Sequence, residues 1–244
     1  MWRLSVHETL NSTSELCRER AAAGEPAGLA VMARRQQRGR GSFGRSWDSP
    51  QGNLYLSVLL RPAGPVCEGG LWSLLAAVAL AEAVEVVLPD PAALRLKWPN
   101  DLMLNGGKVA GILLDSTAGA DGRLAAIVIG FGLNIASRPD IPDRPVACLA
   151  DVIAPPGPDA MAGRLLDRLG HWSSIQSATG FAPIRDAWLA RSHAIGTPMR
   201  LRHGSADLDG DFAGLAEDGS ILLDIRGQRR AFAAGEVRMQ AGGA

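Results

Sequence analysis

The 244-residue sequence is poor in aromatic side chains, with five phenylalanines, six tryptophans and one tyrosine, Tyr55. Binders of single-stranded nucleic acid stack bases on aromatics interleaved with a basic groove. The one arginine-rich stretch here, residues 34–45, has only Phe43 and Trp47 in or beside it, so an RNA- or DNA-binding module stays the alternative reading. Net charge is also missing. Lys plus Arg number 25, as do Asp plus Glu, so no overall field draws the chain to nucleic acid or anionic lipid, and any anion site has to be local. Cysteine is scarce: Cys17, Cys67 and Cys148 are odd in number, scattered and without a CxxC pair, which argues against a disulfide framework or a zinc site. The four histidines, His7, His171, His193 and His203, fall in none of the motifs below and read as surface or structural residues. No long apolar run is free of charge. The longest, residues 71–88, contains Glu82 and Glu85 and stops at Pro89, as a core helix does and a bilayer span does not. Charge arrives before any apolar stretch at the N-terminus, so no signal peptide is read and a cytoplasmic location is expected.

What is present is an ordinary globular composition, 47% apolar and 20% charged. The length suits one larger domain with a small appendage, divided here as 1–194 and 195–244. A helix is expected over residues 11–23, with Asn11, Ser12 and Thr13 as candidate caps and Gly24 and Pro26 as the stop. Strands are expected at 29–33, 54–60 and 94–98. Residues 101–104 and 108–115 should pair as a hairpin around Asn105-Gly106-Gly107. Residues 125–135, apolar on both faces, read as a strand in a covered sheet. Helices follow at 70–88, 159–177 and 181–191. Residues 34–53, crowded with Gly, Arg, Ser and Gln, should form a long loop of the functional kind. From Ile195 short alternating segments separated by glycine turns have the pattern of a small antiparallel barrel.

Four segments carry chemistry. In residues 36–47 the glycines allow close backbone approach, while Arg38, Arg40 and Arg45 offer guanidinium groups to phosphate or carboxylate oxygens. A solvated basic loop or a nucleic-acid contact shares that composition, and the P-loop is excluded because no GKS or GKT follows. Lys97-Trp98-Pro99-Asn100-Asp101 gathers a cation, an amide and a carboxylate at a strand end, where layered α/β proteins commonly place ligands. Lys108 projects an ammonium from a strand whose Gly111 leaves room for a ligand. Gly130-Phe131-Gly132-Leu133-Asn134 ends a buried strand with an amide that is equally suited to capping the backbone.

Taken in order, Gly39 to Trp47 (GRG-x-x-GR-x-W), Ser49-Pro50-x-Gly52-Asn53-Leu54-Tyr55, KWPND at 97–101, Lys108-x-x-Gly111-Ile112-Leu113 and Gly130-x-Gly132-x-Asn134 resemble the biotin–protein ligase family over residues 8–135. The resemblance implies an α+β fold: a catalytic domain like class II aminoacyl-tRNA synthetases, with a mixed sheet flanked by helices, plus an SH3-like C-terminal domain. It implies biotin and ATP with Mg²⁺ as substrates and cofactor, and a biotin carboxyl carrier protein as partner. Arg40, Lys108 and Asp101 would be catalytic. Thr9, Asn11, Gln36, Gly39, Arg40, Lys108 and Gly111 would hold biotin, and Arg40, Arg45, Trp47, Asn100, Lys108 and Asn134 the nucleotide. No direct metal motif is seen, and Mg²⁺ would arrive with ATP, near Asn134. A homodimer is compatible with the family. DNA and membrane partners are not expected, since the chain starts at the catalytic segment without room for a helix-turn-helix domain.

Two departures from the family pattern stand out. Glu8-Thr9-Leu10-Asn11 replaces the Asp/Glu-Ser-Thr-Asn of many relatives, so a hydroxyl expected near the biotin head group is missing at Leu10. Ser42 stands where relatives often carry an arginine linked to holding the adenylate, which predicts readier release of that intermediate. The nearest rival is a lipoate–protein ligase, which shares the fold and the hairpin lysine.

Overall fold

The computed structural model describes residues 1–142 and 144–239. Twelve strands form two sheets among these residues. The larger sheet contains β1 (Arg3–Leu10), β2 (Leu29–Gln36), β3 (Leu54–Leu60), β4 (Leu94–Lys97), β5 (Asp101–Leu104), β6 (Gly107–Ala118) and β7 (Leu124–Leu133), in the order β1-β2-β3-β7-β6-β5-β4. Only β1 and β2 run parallel. This is the mixed sheet expected. The central strands read as nearly continuous apolar runs because helices cover both faces.

Helix α1 (Thr13–Ala22) packs on one face against β2, β3 and β7. On the other lies α2 (Leu71–Glu85), buried along most of its length between the sheet, α3 (Pro158–Thr179) and α4 (Ala182–Ala190). That burial accounts for the segment Val66–Glu85, α2 with the 3-10 turn before it, which by length and composition alone would pass as a bilayer span. Its alanines on several sides let neighbouring backbones approach closely, and its two carboxylates are matched: Arg191 pairs with Glu82 and Glu85.

The smaller antiparallel sheet comprises β8 (Pro198–His203), β9 (Ala206–Leu215), β10 (Ile221–Ile225), β11 (Gln228–Phe232) and β12 (Glu236–Met239), in the order β11-β10-β9-β8-β12. Residues 240–244, the end of the expected small domain, lie outside the described residues. This sheet has no core of its own. Leu201, Phe212, Ile221 and Val237 belong to the same buried cluster as α2 and α4, with Phe212 edge-on to Trp188 and Trp98 Nε1 donating to the Gly219 carbonyl. A unit this small gains its stability from such shared burial.

Two turns place the site. Asn105 and Gly106, both at positive φ (49° and 80°), close the β5–β6 hairpin as a two-residue loop, which sets Lys108 at the start of β6. The segment after β2 is more ordered than a free loop. Gly41 N donates to Arg45 O and Trp47 N to Gly39 O, with an antiparallel bridge between Arg40 and Ser46, so residues 39–47 form a small hairpin that folds back over the sheet.

Candidate active site

A cavity opens between the N-terminus of α1, the 39–47 hairpin and the facing strands β6 and β7. Its blind end is hydroxylic. Ser12, Thr13, Ser14 and Ser57 line it and are each at least 96% buried. Ser12 Oγ and Ser14 Oγ are 2.9 Å apart, and Thr13 Oγ1 and Ser57 Oγ 2.8 Å. Gln36 ties this end to the hairpin: its Oε1 accepts from Thr13 N and Thr13 Oγ1, and its Nε2 donates to Ser49 Oγ, which itself donates to Trp47 O. Buried polar groups are stable only when so paired. Ile112, Leu113 and Phe131 make the middle apolar.

The mouth is cationic. Lys108 and Arg40 both line it. Behind Lys108, Asp101 is ion-paired to Lys108 and to Lys97 Nζ, the latter at 2.9 Å. Burial opposes ionisation of Asp101, but the two ammonium groups outweigh it and hold the carboxyl below its ordinary value. The Arg40 guanidinium rests 3.2 Å from Asp115, a carboxylate it shares with Arg18 at 3.6 Å.

Trp47 closes the cavity. Gly111 and Gly132 are register partners on β6 and β7, and a Cβ on Gly132 would lie 2.5 Å from the indole, one on Gly111 3.2 Å. The glycine pair is therefore a seat for Trp47. The room expected at Gly111 for a ligand is taken by the indole and by Lys108 Nζ, which sits 3.1 Å from a Gly111 Cβ and 5.5 Å from the Trp47 ring centre. Gly39 is required in the same way, because a Cβ there would meet Trp47 O at 2.3 Å. Indole Nε1 is buried and has no hydrogen-bond partner among the described residues.

Of the residues picked from sequence, Gln36, Arg40, Trp47, Lys108 and Gly111 meet at this cavity, with Asp101 and Gly39 directly behind it. Asn100 adjoins it, its Nδ2 donating to Ser42 Oγ and Ile112 O. Four others fall elsewhere. Thr9 and Asn11 are exposed, Thr9 on edge strand β1 opposite Arg35. The hydroxyls in the cavity come from Ser12, Thr13 and Ser14, where the strand gives way to α1, and not from Thr9; Leu10 therefore costs the cavity no hydroxyl. Asn134 is buried, donating through Nδ2 to Ala147 O and through its backbone to Val109 O, so it fastens the following loop. Arg45 turns outward to Glu236 of β12 at 2.7 Å. Ser57 was missed altogether, since a lone serine in an apolar strand gives no periodic signal, and it is the one residue of β3 that reaches the lining.

A cleft lined by buried hydroxyls, apolar side chains and two cations has the chemistry to take up an amphiphilic acid. Comparison with known proteins identifies the family. Residues 6–134 match the family model described as the biotin/lipoate A/B protein ligase family, and the chain belongs to that family. It is 38% identical over 213 residues to the biotin–[acetyl-CoA-carboxylase] ligase of Paracoccus denitrificans, covering 85% of this chain and 88% of that protein. It is 34% identical over 235 residues to the bifunctional ligase/repressor BirA of Bacillus subtilis, covering 91% and 69%. Among solved structures, the biotin protein ligase from Aquifex aeolicus in complex with biotin and ATP superposes with a TM-score of 0.81 at 25% identity, covering 98% of this chain and 99% of that one.

Proposed function

We propose that the chain is an ATP-dependent biotin–protein ligase acting in the cytoplasm on a biotin carboxyl carrier protein, with residues 1–194 as catalytic domain and 195–244 as accessory domain. The observation that carries this reading is that Arg40, from the hairpin, and Lys108, from β6, reach one cavity whose opposite end is a buried hydroxyl cluster. The hydroxyls and Gln36 suit the ureido ring of biotin, the apolar middle its valeryl chain, and the cations its carboxylate. DNA and membranes are not partners in this reading; association with a second copy is compatible with it.

The carboxylate oxygen attacks the α-phosphorus of ATP, the bond to pyrophosphate breaks, and biotinyl-5′-adenylate forms. Arg40 and Lys108 bring together two groups that repel each other and stabilise the charge that grows between them. Asp101 keeps Lys108 aimed. In the second step the amine of a carrier lysine attacks the acyl carbonyl and AMP departs. Asp101, held anionic, then attracts that lysine. Mg²⁺ would come with the phosphates of ATP. No group of three or more His, Cys, Asp or Glu suited to a metal occurs among the described residues, and Asp101 and Asn134 are already engaged, so the described residues form no cage for it.

The test is pyrophosphate exchange into ATP with biotin, lipoate and octanoate in parallel, followed by transfer to a carrier domain. Exchange that needs biotin is expected. Exchange supported equally by lipoate would move the chain to the other branch of the family, and salt-sensitive retention on nucleic acid without exchange would favour the binding module.

A further inference from the structure

Lysine is almost missing from this chain. Of the 25 Lys plus Arg residues, all but Lys97 and Lys108 are arginine, although lysine is among the commonest residues of soluble proteins and is nearly always solvated. Both lysines stand on one carboxylate. Lys97 Nζ lies 2.9 Å from Asp101, and Lys108 is ion-paired to the same side chain. Lys97 and Asp101 are only 16% and 14% exposed. Lys108 is the more open and lines the cavity, where Gly111 and the Trp47 ring confine its Nζ further. The α-amine of Met1 stands at the other end of β1 from the start of α1, about 25 Å along the strand. The exposed cations beside the mouth are arginines. Arg18 shares Asp115 with Arg40, and Arg144 precedes Pro145, whose carbonyl accepts from Lys108 N.

This distribution matters for the intermediate of the proposed reaction. Biotinyl-5′-adenylate is a mixed anhydride, and any neutral amine that reaches its acyl carbon can displace AMP. The amine nitrogen forms an amide bond, the bond from the acyl carbon to the phosphate oxygen breaks, AMP leaves with that electron pair, and the amine proton passes to water. Arginine takes no part, because its guanidinium is always charged and delocalised. An ammonium has no lone pair to offer while a carboxylate holds its protons. Lys108, which faces the reacting carboxylate in the proposed reaction, is thus the amine most at risk and is kept unreactive by its ion pair.

We infer that Asp101 shields Lys97 and Lys108 from the acyl phosphate made beside them, and that Lys108 is a latent self-acylation site which loss of that carboxylate opens. This rests on the ligase reading but is tested apart from it. Full-length protein is incubated without carrier, either with biotin, ATP and Mg²⁺ or with preformed biotinyl-5′-adenylate, and biotinyl groups are mapped by peptide mass spectrometry. Wild type should carry next to none on its lysines. Asp101→Asn should gain at least ~10-fold more on Lys108, since an amine held beside the acyl carbon reacts as a neighbouring group, while Asp101→Glu, which keeps the carboxylate, stays near wild type. Arg18→Lys and Arg144→Lys should each gain an adduct on the new amine with Asp101 intact. Adducts on Lys108 in wild type, an Asp101→Asn protein as clean as wild type after preformed adenylate, or introduced amines that stay unmodified would overturn the inference. Failure of wild type to make the adenylate would instead count against the ligase reading, with the preformed adenylate still deciding the shielding.

Discussion

Gly132→Ala is the substitution whose outcome the geometry fixes most tightly. The new Cβ would lie 2.5, 2.6 and 2.9 Å from Cε2, Nε1 and Cζ2 of Trp47, so one side has to give. The sheet is held: Gly132 pairs with Tyr55 on β3 and with Gly111 on β6, and a shift would disturb two ladders. The indole is the movable partner. A wedged ring costs about 1–3 kcal/mol of overpacking. A ring that swings out loses its packing on the glycine pair but no hydrogen bond, because Nε1 has none among the described residues. Either way the fold survives with a penalty in that range. Function should suffer more, since Trp47 and Arg40 belong to one backbone-bonded hairpin and displacing one displaces the other; adenylate synthesis is expected to fall at least ~10-fold, the scale of a small misplacement of catalytic groups. Urea denaturation and biotin-dependent exchange would be measured for Gly132→Ala, Trp47→Ala and the double variant. If the clash is with the indole, removing the indole relieves it and the cycle shows a coupling of about 1–3 kcal/mol. The same penalty in both backgrounds, or a Gly132→Ala protein with wild-type activity, refutes the reasoning.

Lys108→Ala should lower exchange by roughly 100- to 1000-fold, the loss seen when a fixed donor to a developing anion is removed, with near-UV circular dichroism unchanged; near-normal synthesis would displace Lys108 from the reaction. Asp101 is held below the ordinary carboxyl value of about 4, so its stabilising effect is complete above that pH and lost as pH falls through the lower folded value. Denaturant unfolding between pH 3 and 6 should therefore show the deficit of Asp101→Asn shrinking toward acid, and a deficit independent of pH would mean that ionisation is not its source. In the same variant carrier transfer should fall more steeply than adenylation, which loses only the aim of Lys108. Ser42→Arg should slow the escape of the adenylate in a chase experiment, and an unchanged off-rate would dispose of the link between that position and retention of the intermediate.

The sequence exposed the sheet well where apolar runs were bounded by turn residues. Residues 54–60 were placed as observed, and Asn105-Gly106 announced the β5–β6 hairpin because only certain residues accept two positive φ angles. It exposed the arginine segment as functional but not as a hairpin, since an arm of Gly, Arg and Ser carries no alternation of polarity; its order comes from backbone bonds that any residue can make. The hydroxyl end of the cavity was sought too early in the chain for a related reason. Thr9 and Asn11 precede a helix as cap residues do, but the side chains that turn inward are set by where β1 ends and α1 begins, and both Gln36 and Ser57 that complete the cluster come from other strands. Gly111 read as room for a ligand, because a sequence records a missing side chain without recording what fills its space.

The hydroxyl cluster also bears on the choice between biotin and lipoate. Ser12, Ser14, Thr13 and Ser57 are almost wholly buried and bonded in pairs, and each hydroxyl combines one donor with two acceptor sites, so the pairs retain bonding capacity directed at the blind end. A ureido ring, with two N–H donors and a carbonyl, can use it. A dithiolane ring cannot, and would expel water from these groups while offering nothing comparable, at about 1–3 kcal/mol for each group left unmet. Two such groups already correspond to a preference of roughly 30-fold or more, and sites built to hydrogen-bond a substrate reject the analogue that lacks the partner far more strongly than apolar pockets reject a size mismatch. We propose that selectivity for biotin resides at the start of α1 and on β3, at the end of the cavity away from Arg40 and Lys108.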